Sequence, residues 1–203
     1  PSTTDAWIWD PKTGKASMAF EIGGFGGIAD LKGEHALEWR LVTRGDVNAY
    51  RRDLRSGERI LLTAHEGTAS VFGQFGPDTS TVYLGHNIGR DRLVFGRVDI
   101  ADGKVSAPVT RAERDDAELD DFLLSKDHSF ALLVWNVAGR NEIERISLPD
   151  GKRSALPAAP AELVYAADIA PVGERLEQML LDTGMAAADT ALAAQDGFAV
   201  AVE

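Results

Sequence analysis

The sequence contains no cysteine, no excess of basic residues and no long apolar run, and each absence excludes a class of function. Without cysteine the chain forms neither disulfides nor thiolate metal sites, which leaves its compartment open. Its 32 acidic residues outnumber the 21 basic ones, a balance that disfavours nucleic acids and anionic membranes as partners. No apolar stretch approaches the roughly 20 residues that cross a bilayer. Residues 1–5 show neither the basic start nor the apolar core of a signal peptide, so we expect none there.

Catalytic motifs are absent as well. No Gly-x-Ser-x-Gly occurs, which is the sequence around the nucleophile of many serine hydrolases. The histidines lack the spacing of a zinc site. They are His35, His65, His86 and His128. We therefore predict no catalytic residue, no metal site and no cofactor in these 203 residues.

A glycine-centred turn returns four times along the chain. The turn glycines are Gly14, Gly57, Gly103 and Gly151, at intervals of 43, 46 and 48 residues. Each follows a short alternating apolar run, and glycine suits a turn that requires positive φ. A second series of turns interleaves with the first, at 30–34, 76–79, 125–128 and 170–174. Two hairpins in about 45 residues make four strands per repeat, which is typical of a β-propeller blade.

The repeat predicts an all-β fold of β-propeller blades, each with four antiparallel strands. We expect residues 1–203 to form one propeller segment of about four blades. Its parts are a partial blade at 6–20, blades at 25–64, 69–111 and 118–157, and a partial blade at 163–203. The two ends could close a four-bladed ring, but we favour part of a larger propeller of about seven blades, because an open arc leaves apolar faces uncovered. The alanine-rich stretch 185–195 predicts a loop or short helical insertion.

Four sets of residues carry a family pattern. Residues 50–63 read Tyr-x-x-Asp-Leu-x-x-Gly-Glu-x-x-Leu-Leu-Thr, and residues 91–99 begin with Asp-Arg and end with Asp. Residues 122–127 and 135–140 combine Phe-x-x-Ser-x-Asp with Asn-x-x-Gly, and residues 156–160 read Leu-Pro-x-x-Pro. Together these stretches resemble the propeller of bacterial serine peptidases of the prolyl oligopeptidase family, in the branch near the acylaminoacyl peptidases.

The resemblance implies that the propeller acts by keeping large substrates away from an active site. In that family the propeller covers a C-terminal α/β-hydrolase domain and limits access to short peptides. Our leading hypothesis is the non-catalytic gating propeller of such a peptidase, with the hydrolase domain and the remaining blades as partners and a peptide as substrate. The resemblance leaves a bacterial cytoplasmic or periplasmic location open. The alternative is a TolB-like propeller that serves as a protein–protein interaction platform, since a rigid ring can present loops of any sequence. A third reading is an independent four-bladed ring with a ligand in its channel.

Asn136 and Arg140 are the predicted substrate-binding residues. They flank the bend at 137–139, and the resemblance implies that propeller residues facing the cavity hold the termini of a peptide. An arginine there can pair with a carboxylate through two hydrogen bonds. A structural role in the turn is the competing interpretation. The sequence departs from the family at Arg140, where an aromatic residue is usual, and at His128, where a turn glycine is usual.

Several other signals have a structural interpretation. Residues 113–121 hold six carboxylates, which we interpret as a charged connection because the glycine and final glutamate of a calcium loop are missing. Arg-Gly-Asp at 44–46 matches an adhesion tripeptide but supplies a turn more simply. The glycine-rich stretch 23–27 predicts a flexible connection between blades. Trp7 and Trp9 lie on one face of a strand, and we expect the tryptophans to pack between blades.

Overall fold

The fold is built from antiparallel β-strands. The structure, a computed structural model, describes residues 3–156 in full and the backbone of 167–171, 191–195 and 198–202. This part of the chain contains strands and turns but no helix, which confirms the predicted all-β class. Within it, no helix is long and apolar enough to cross a membrane.

The chain divides into two compact units, residues 1–112 and 113–203. The strands of the first unit are β1 (Asp5–Asp10), β2 (Lys15–Glu21), β3 (Gly26–Lys32), β4 (His35–Thr43), β5 (Asp46–Asp53), β6 (Arg59–Leu61), β7 (Val71–Phe75), β8 (Thr81–His86), β9 (Val94–Ala101), β10 (Lys104–Val105) and β11 (Val109–Ala112). Those of the second unit are β12 (Glu118–Leu124), β13 (Phe130–Val137), β14 (Arg140–Ser147), β15 (Arg153–Ala155), β16 (Ala167–Pro171), β17 (Ala191–Gln195) and β18 (Phe198–Val202).

Each complete sheet is an antiparallel meander with four strand positions. In the first unit β1 pairs with β2, and β3 to β6 follow one another in order. In the next sheet β7, β8 and β9 are consecutive, and the fourth position is shared by β10 and β11, which pair with different parts of β9. Pro108 lies between these two short strands, where a residue without an N–H cannot extend the ladder. In the second unit β12 to β15 form a third meander of the same kind.

The predicted turn glycines adopt the conformation that the repeat requires. Gly14, Gly57, Gly103 and Gly151 have φ values of 65°, 76°, 72° and 73°. An aspartate strengthens the turn before Gly57, because Asp53 Oδ1 accepts hydrogen bonds from the amides of Arg55 and Ser56 at 2.9 and 2.7 Å. The bond from Ser56 is the main reason that the pKa of Asp53 is lowered. The prediction of glycine-centred hairpins is confirmed at all four positions.

An apolar core joins the two complete sheets of the first unit. Its buried members come from both sheets: Leu37, Ala49, Leu62, Ala69, Val71, Phe75, Val82, Leu84, Val98 and Ile100. Polar contacts reinforce this core at one end. Asp30 Oδ2 accepts a hydrogen bond from the amide of Phe75 at 2.8 Å, and the ammonium of Lys32 donates to the carbonyl of Gly76. Side chains of β3 therefore fix the end of β7.

Strand β13 is the centre of the second unit. Residues 130–135 are all buried, as expected for a continuous apolar run with a strand on each side. In the last sheet the order is β16, β18, β17. Two sequence expectations are wrong there. Residues 191–195 form strand β17, not a loop or helical insertion, and Ala170 and Pro171 end strand β16 where a turn was predicted. In each case strand pairing with β18 overrides local composition.

Some predictions stay untested. Much of the predicted partial blade 163–203 lies outside the described residues, as do 185–190 and the prolines of the 156–160 junction. The division of the chain into blades therefore stays a prediction.

Candidate functional site

The predicted substrate-binding residues lie at the hairpin turn between β13 and β14. Ala138 and Gly139 both have positive φ, 51° and 88°, as a two-residue hairpin turn requires. Asn136 Oδ1 accepts a hydrogen bond from the amide of Gly139 at 2.9 Å, so this side chain folds back over the turn. Arg140 is the first residue of β14 and is exposed. The structure thus brings both residues to one turn and gives Asn136 a clear role in shaping it.

A buried amide beside this turn was missed by the sequence analysis. Asn141 donates from Nδ2 to Asp120 Oδ2 at 2.8 Å and to the carbonyl of Trp135 at 3.4 Å. Asp120 is the extra residue of a β-bulge, because Leu119 and Asp121 pair with consecutive residues of β13. A bulge is not visible in alternating apolar residues, and therefore no sequence signal identified this contact.

The acidic stretch 113–121 consists of a connection at 113–117, which is held by one arginine, and the first four residues of β12. Arg114 binds both carboxylate oxygens of Asp116, at 3.0 and 2.8 Å, and Glu142 Oε2 at 2.6 Å. These hydrogen bonds, first from Asp116 and then from Glu142, raise the pKa of Arg114. The pKa of Asp121 is raised too, mainly by desolvation and further by the charge of Asp120. The geometry supports the structural interpretation of this stretch.

Trp135 anchors the same sheet. The indole is buried, and its Nε1 donates to Glu144 Oε2 at 3.0 Å. Arg153 binds the same oxygen at 2.6 Å, and its guanidinium lies 5.8 Å from the centre of the indole ring. Trp135 is thus buried, while packing of the tryptophans between blades stays a prediction.

A histidine–aspartate pair is buried in the first unit. His65 Nε2 lies 2.9 Å from Asp46 Oδ1, and His65 Nδ1 lies 2.6 Å from the carbonyl oxygen of Thr63. Both ring nitrogens face acceptors, so neither faces a hydroxyl nucleophile as a serine hydrolase base does. Asp46 also accepts from the amide of Ala69 at 3.4 Å. This aspartate is the last residue of the Arg-Gly-Asp tripeptide and is buried, which argues against the adhesion reading.

A second buried network centres on Glu38. Its carboxylate is completely buried and binds Arg52 Nε at 2.8 Å and Arg59 Nη1 at 3.2 Å. The Arg52 guanidinium also lies 4.2 Å from the centre of the Phe20 ring. These contacts tie the β1–β2 hairpin to the sheet formed by β3 to β6.

The glycine-rich stretch 23–27 is held in place by specific contacts. Thr4 Oγ1 donates to the carbonyls of Gly24 and Gly26 at 3.0 and 2.8 Å, and it accepts from the Gly26 amide at 2.9 Å. A Cβ at Gly27 would lie 2.8 Å from Trp39 Nε1, so glycine lets the indole lie against β3. Residues 23–25 connect β2 to β3, and Gly26 and Gly27 begin β3; a flexible connection between blades stays a prediction.

His86 is buried at the end of β8. Its Nδ1 accepts from the amide of Ile88 at 3.3 Å, whereas Nε2 is buried without a hydrogen-bond partner. A Cβ at Gly96 would lie 2.5 Å from Nε2, so the ring packs directly on backbone. Desolvation, with a smaller contribution from Arg90, lowers the pKa of His86 to about 4.

The described residues hold no group of three or more histidine, aspartate or glutamate side chains placed to bind a metal ion. Several charged groups in the described part of the chain, such as those around Glu38 and Arg114, form ion-pair networks within the sheets. The groups available for binding are therefore the polar side chains of the turns that connect the β-strands.

Comparison with known proteins identifies the fold. No family model and no curated protein sequence matches the chain. Among solved structures, one similar structure is TolB from Acinetobacter baumannii. The match covers 98% of this chain and 48% of the TolB chain, with a TM-score of 0.64 and 15% sequence identity. A second is an oligogalacturonate lyase in complex with manganese. The match covers 80% of this chain and 50% of the lyase chain, with a TM-score of 0.62 and 16% sequence identity. A third is a prolyl endopeptidase. The match covers 78% of this chain and 23% of the endopeptidase chain, with a TM-score of 0.56 and 17% sequence identity.

These likenesses establish a β-propeller fold of four-stranded antiparallel sheets, as predicted. The chain spans about half the length of the TolB structure and about a quarter of the prolyl endopeptidase. The resemblance to prolyl oligopeptidases is thereby supported at the level of the propeller, while the acylaminoacyl-peptidase branch stays a prediction.

Proposed function

We propose that this chain is the non-catalytic propeller portion of a larger serine peptidase of the prolyl oligopeptidase type. The observation that carries the proposal is the combination of family motifs, such as residues 50–63, with a propeller fold shared with a prolyl endopeptidase over 78% of the chain. Both ring nitrogens of His65 lie against acceptors and not against a hydroxyl, as we expect if catalysis takes place in a separate domain.

The proposed mechanism is selection by size. A rigid propeller over the active site of an α/β-hydrolase domain admits short or extended peptides and excludes folded proteins. The chain's contribution is rigidity, which comes from the apolar core and from networks such as that around Glu38. Catalysis belongs to a Ser–Asp–His triad in the partner domain.

Asn136 and Arg140 are the proposed contacts with the peptide. Asn136 braces the turn through the Gly139 amide, which holds the exposed Arg140 at the start of β14. A guanidinium in this place can bind the C-terminal carboxylate of a peptide through two hydrogen bonds.

The test uses the intact gene product and peptides of increasing length. We expect hydrolysis of short peptides, little hydrolysis of folded proteins, and a KM raised about 10-fold by Arg140→Ala with kcat unchanged. Amidation of the peptide C-terminus should abolish the difference between the variant and the natural protein. Lys126→Ala is the matched control, because this exposed cation lies in the turn at the opposite end of β13. An intact product without any peptidase activity would rule the proposal out.

A TolB-like interaction platform is the second candidate. It is supported by the likeness to TolB, which extends over 98% of the chain. On this reading the exposed turns bind a protein partner and no hydrolase domain is involved. If the intact gene product stays bound to a protein partner through purification and hydrolyses no peptide, the interaction platform is favoured over the peptidase propeller.

A further inference from the structure

The turn at Gly103 differs from the other three repeat turns. In those three, the glycine amide donates to the carbonyl of the residue four positions earlier, at 2.8–2.9 Å. Between β9 and β10, Lys104 pairs with Ala101, so that the turn holds only Asp102 and Gly103. Both of these residues have positive φ, 50° and 72°. This conformation is that of a two-residue type I′ turn.

The turn after β14 contains the same three residues, Asp-Gly-Lys, but is braced by hydrogen bonds. The amide of Gly151 donates to the carbonyl of Ser147 at 2.8 Å. The Asp150 carboxylate accepts from the amide of Lys152 at 3.1 Å. Hydrogen bonds from the Ser147 side chain, and then from the Lys152 amide, lower the pKa of Asp150. The carboxylate and the following amide of this Asp-Gly pair are therefore both occupied.

In the turn between β9 and β10 the corresponding groups are free. Among the described residues, neither the Asp102 carboxylate nor the Gly103 amide has a hydrogen-bond partner, and both residues are exposed. A Cβ at Gly103 would meet no atom within 4 Å, so the amide is open to approach. Strand β10 is only two residues long, and the turn that it closes therefore opens easily. Once it opens, the carboxyl group and the next amide nitrogen can reach each other.

We propose that Asp102 is a site of spontaneous isomerisation to isoaspartate. The Gly103 amide nitrogen attacks Cγ of the protonated Asp102 carboxyl group, and the hydroxyl leaves as water with the proton of that nitrogen, which closes a succinimide ring. Water then adds to one of the two ring carbonyls. Breaking the bond from nitrogen to Cγ restores aspartate, whereas breaking the bond from nitrogen to the backbone carbonyl carbon gives isoaspartate. No oxidant, reductant or cofactor is consumed.

Isomerisation adds one methylene to the backbone inside this turn. Because a two-residue turn fixes the register of its strands, the longer chain cannot keep Lys104 opposite Ala101. The packing of Val105 against the apolar core depends on that register, and so does the 2.8 Å hydrogen bond from the Ser106 amide to the Asp99 carbonyl. The modification therefore loosens the β10 edge of its sheet. It requires only this turn and water, so it goes beyond the proposed function and does not depend on it.

The experiment ages the folded 203-residue chain at neutral pH and physiological temperature. Cleavage after lysine and arginine then gives peptides 98–104 and 146–152, each with one Asp-Gly pair, and separates them from the third pair at 196–197, which lies outside the described residues. Labelling by an isoaspartate-specific methyltransferase, together with electron-transfer fragmentation, quantifies isoaspartate in each peptide. We expect it to form at least about 10-fold faster in peptide 98–104, because two hydrogen bonds brace the other turn.

Unfolding and a matched variant separate the effect of structure from that of sequence. In urea the two rates should become similar, because both peptides contain Asp-Gly-Lys. Asp102→Glu keeps the charge but would need a larger ring, so it should abolish isoaspartate in peptide 98–104 and leave peptide 146–152 unchanged. Hydrogen exchange of the Ser106 amide should accelerate as the natural protein ages, but not in this variant.

Similar rates for the two peptides in the folded chain, or a difference between them that persists in urea, would overturn the inference. So would isoaspartate that is confined to peptide 146–152. None of these results depends on peptidase activity.

Discussion

Buried ionic groups determine much of the architecture at the scale of single residues. Glu38 is completely buried between two arginines, and one of them, Arg52, is itself buried and stacks on Phe20. A buried ion pair is not in itself strongly stabilising, but removing one partner leaves an uncompensated charge in a poorly solvated place. The network therefore makes the placement of β2 against the next sheet sensitive to a single carboxylate.

Glu38→Ala should destabilise the protein by about 3–5 kcal/mol, because it leaves the Arg52 guanidinium buried without its partner. Urea denaturation monitored by circular dichroism measures the change. Glu34→Ala is the control, since the Glu34–Arg55 ion pair is largely exposed and its loss should leave the midpoint nearly unchanged. Equal effects of the two substitutions would contradict this account of the network.

His86 makes stability depend on pH. Its pKa of about 4 in the folded protein lies below the ordinary value of 6.5, so the unfolded chain binds the proton first as the pH falls. The stability associated with the neutral ring is present above pH 6.5 and is lost as the pH falls toward 4. His86→Asn keeps an acceptor for the Ile88 amide but does not titrate. The loss of stability between pH 7 and pH 5 should then be smaller by about 2 kcal/mol.

Urea denaturation at both pH values provides the measurement for this prediction. His35→Asn is the control, because His35 is partly exposed and pairs with Asp53 at 3.7 Å. If the His86 variant and the natural protein lose the same stability on acidification, burial of the His86 ring is not the cause of the pH dependence.

At the scale of elements, hairpin turns were the most predictable feature. The four repeat glycines follow from the need for positive φ, and the structure has each of them in that conformation. His128 was noted as a departure from a turn glycine, and it adopts φ of 55° all the same. The turn between β13 and β14 places Ala138 at φ of 51°, where a side chain is unfavourable.

Ala138→Asn should stabilise the protein by about 0.5–1 kcal/mol, because Asn-Gly is preferred in a two-residue hairpin turn. An increase in the midpoint of urea denaturation would show it. Ala155→Asn, on the exposed strand β15, serves as the control and should not stabilise. A gain of similar size in both variants would indicate an effect of surface polarity, not of turn geometry.

At the scale of the whole molecule, the net charge of −11 governs which partners approach. Phosphate binding requires clustered lysine and arginine that displace counterions. Arginines such as Arg52, Arg114 and Arg153 are instead paired with carboxylates of the same chain. The absence of nucleic-acid binding stays a prediction with a physical reason.

We expect no shift of a labelled DNA duplex and no binding to anionic vesicles at about 50 mM salt, where electrostatic binding is strong. Electrophoretic mobility and vesicle co-sedimentation test the two partners separately. Binding that weakens as salt is added would show that a basic surface exists despite the overall charge.

The sequence by itself determined the strand repeat, the positions of the turn glycines and the all-β class, because turns and alternation depend on neighbours a few residues apart. Only the tertiary structure decided which polar groups meet. Asp46 and His65 are 19 residues apart, and Asp120 and Asn141 are 21 apart, so each contact depends on strand register and on a bulge or connection. It also decided that Trp135 is buried while Trp7 and Trp9 are exposed, because burial requires a neighbouring strand or sheet that an isolated motif does not specify.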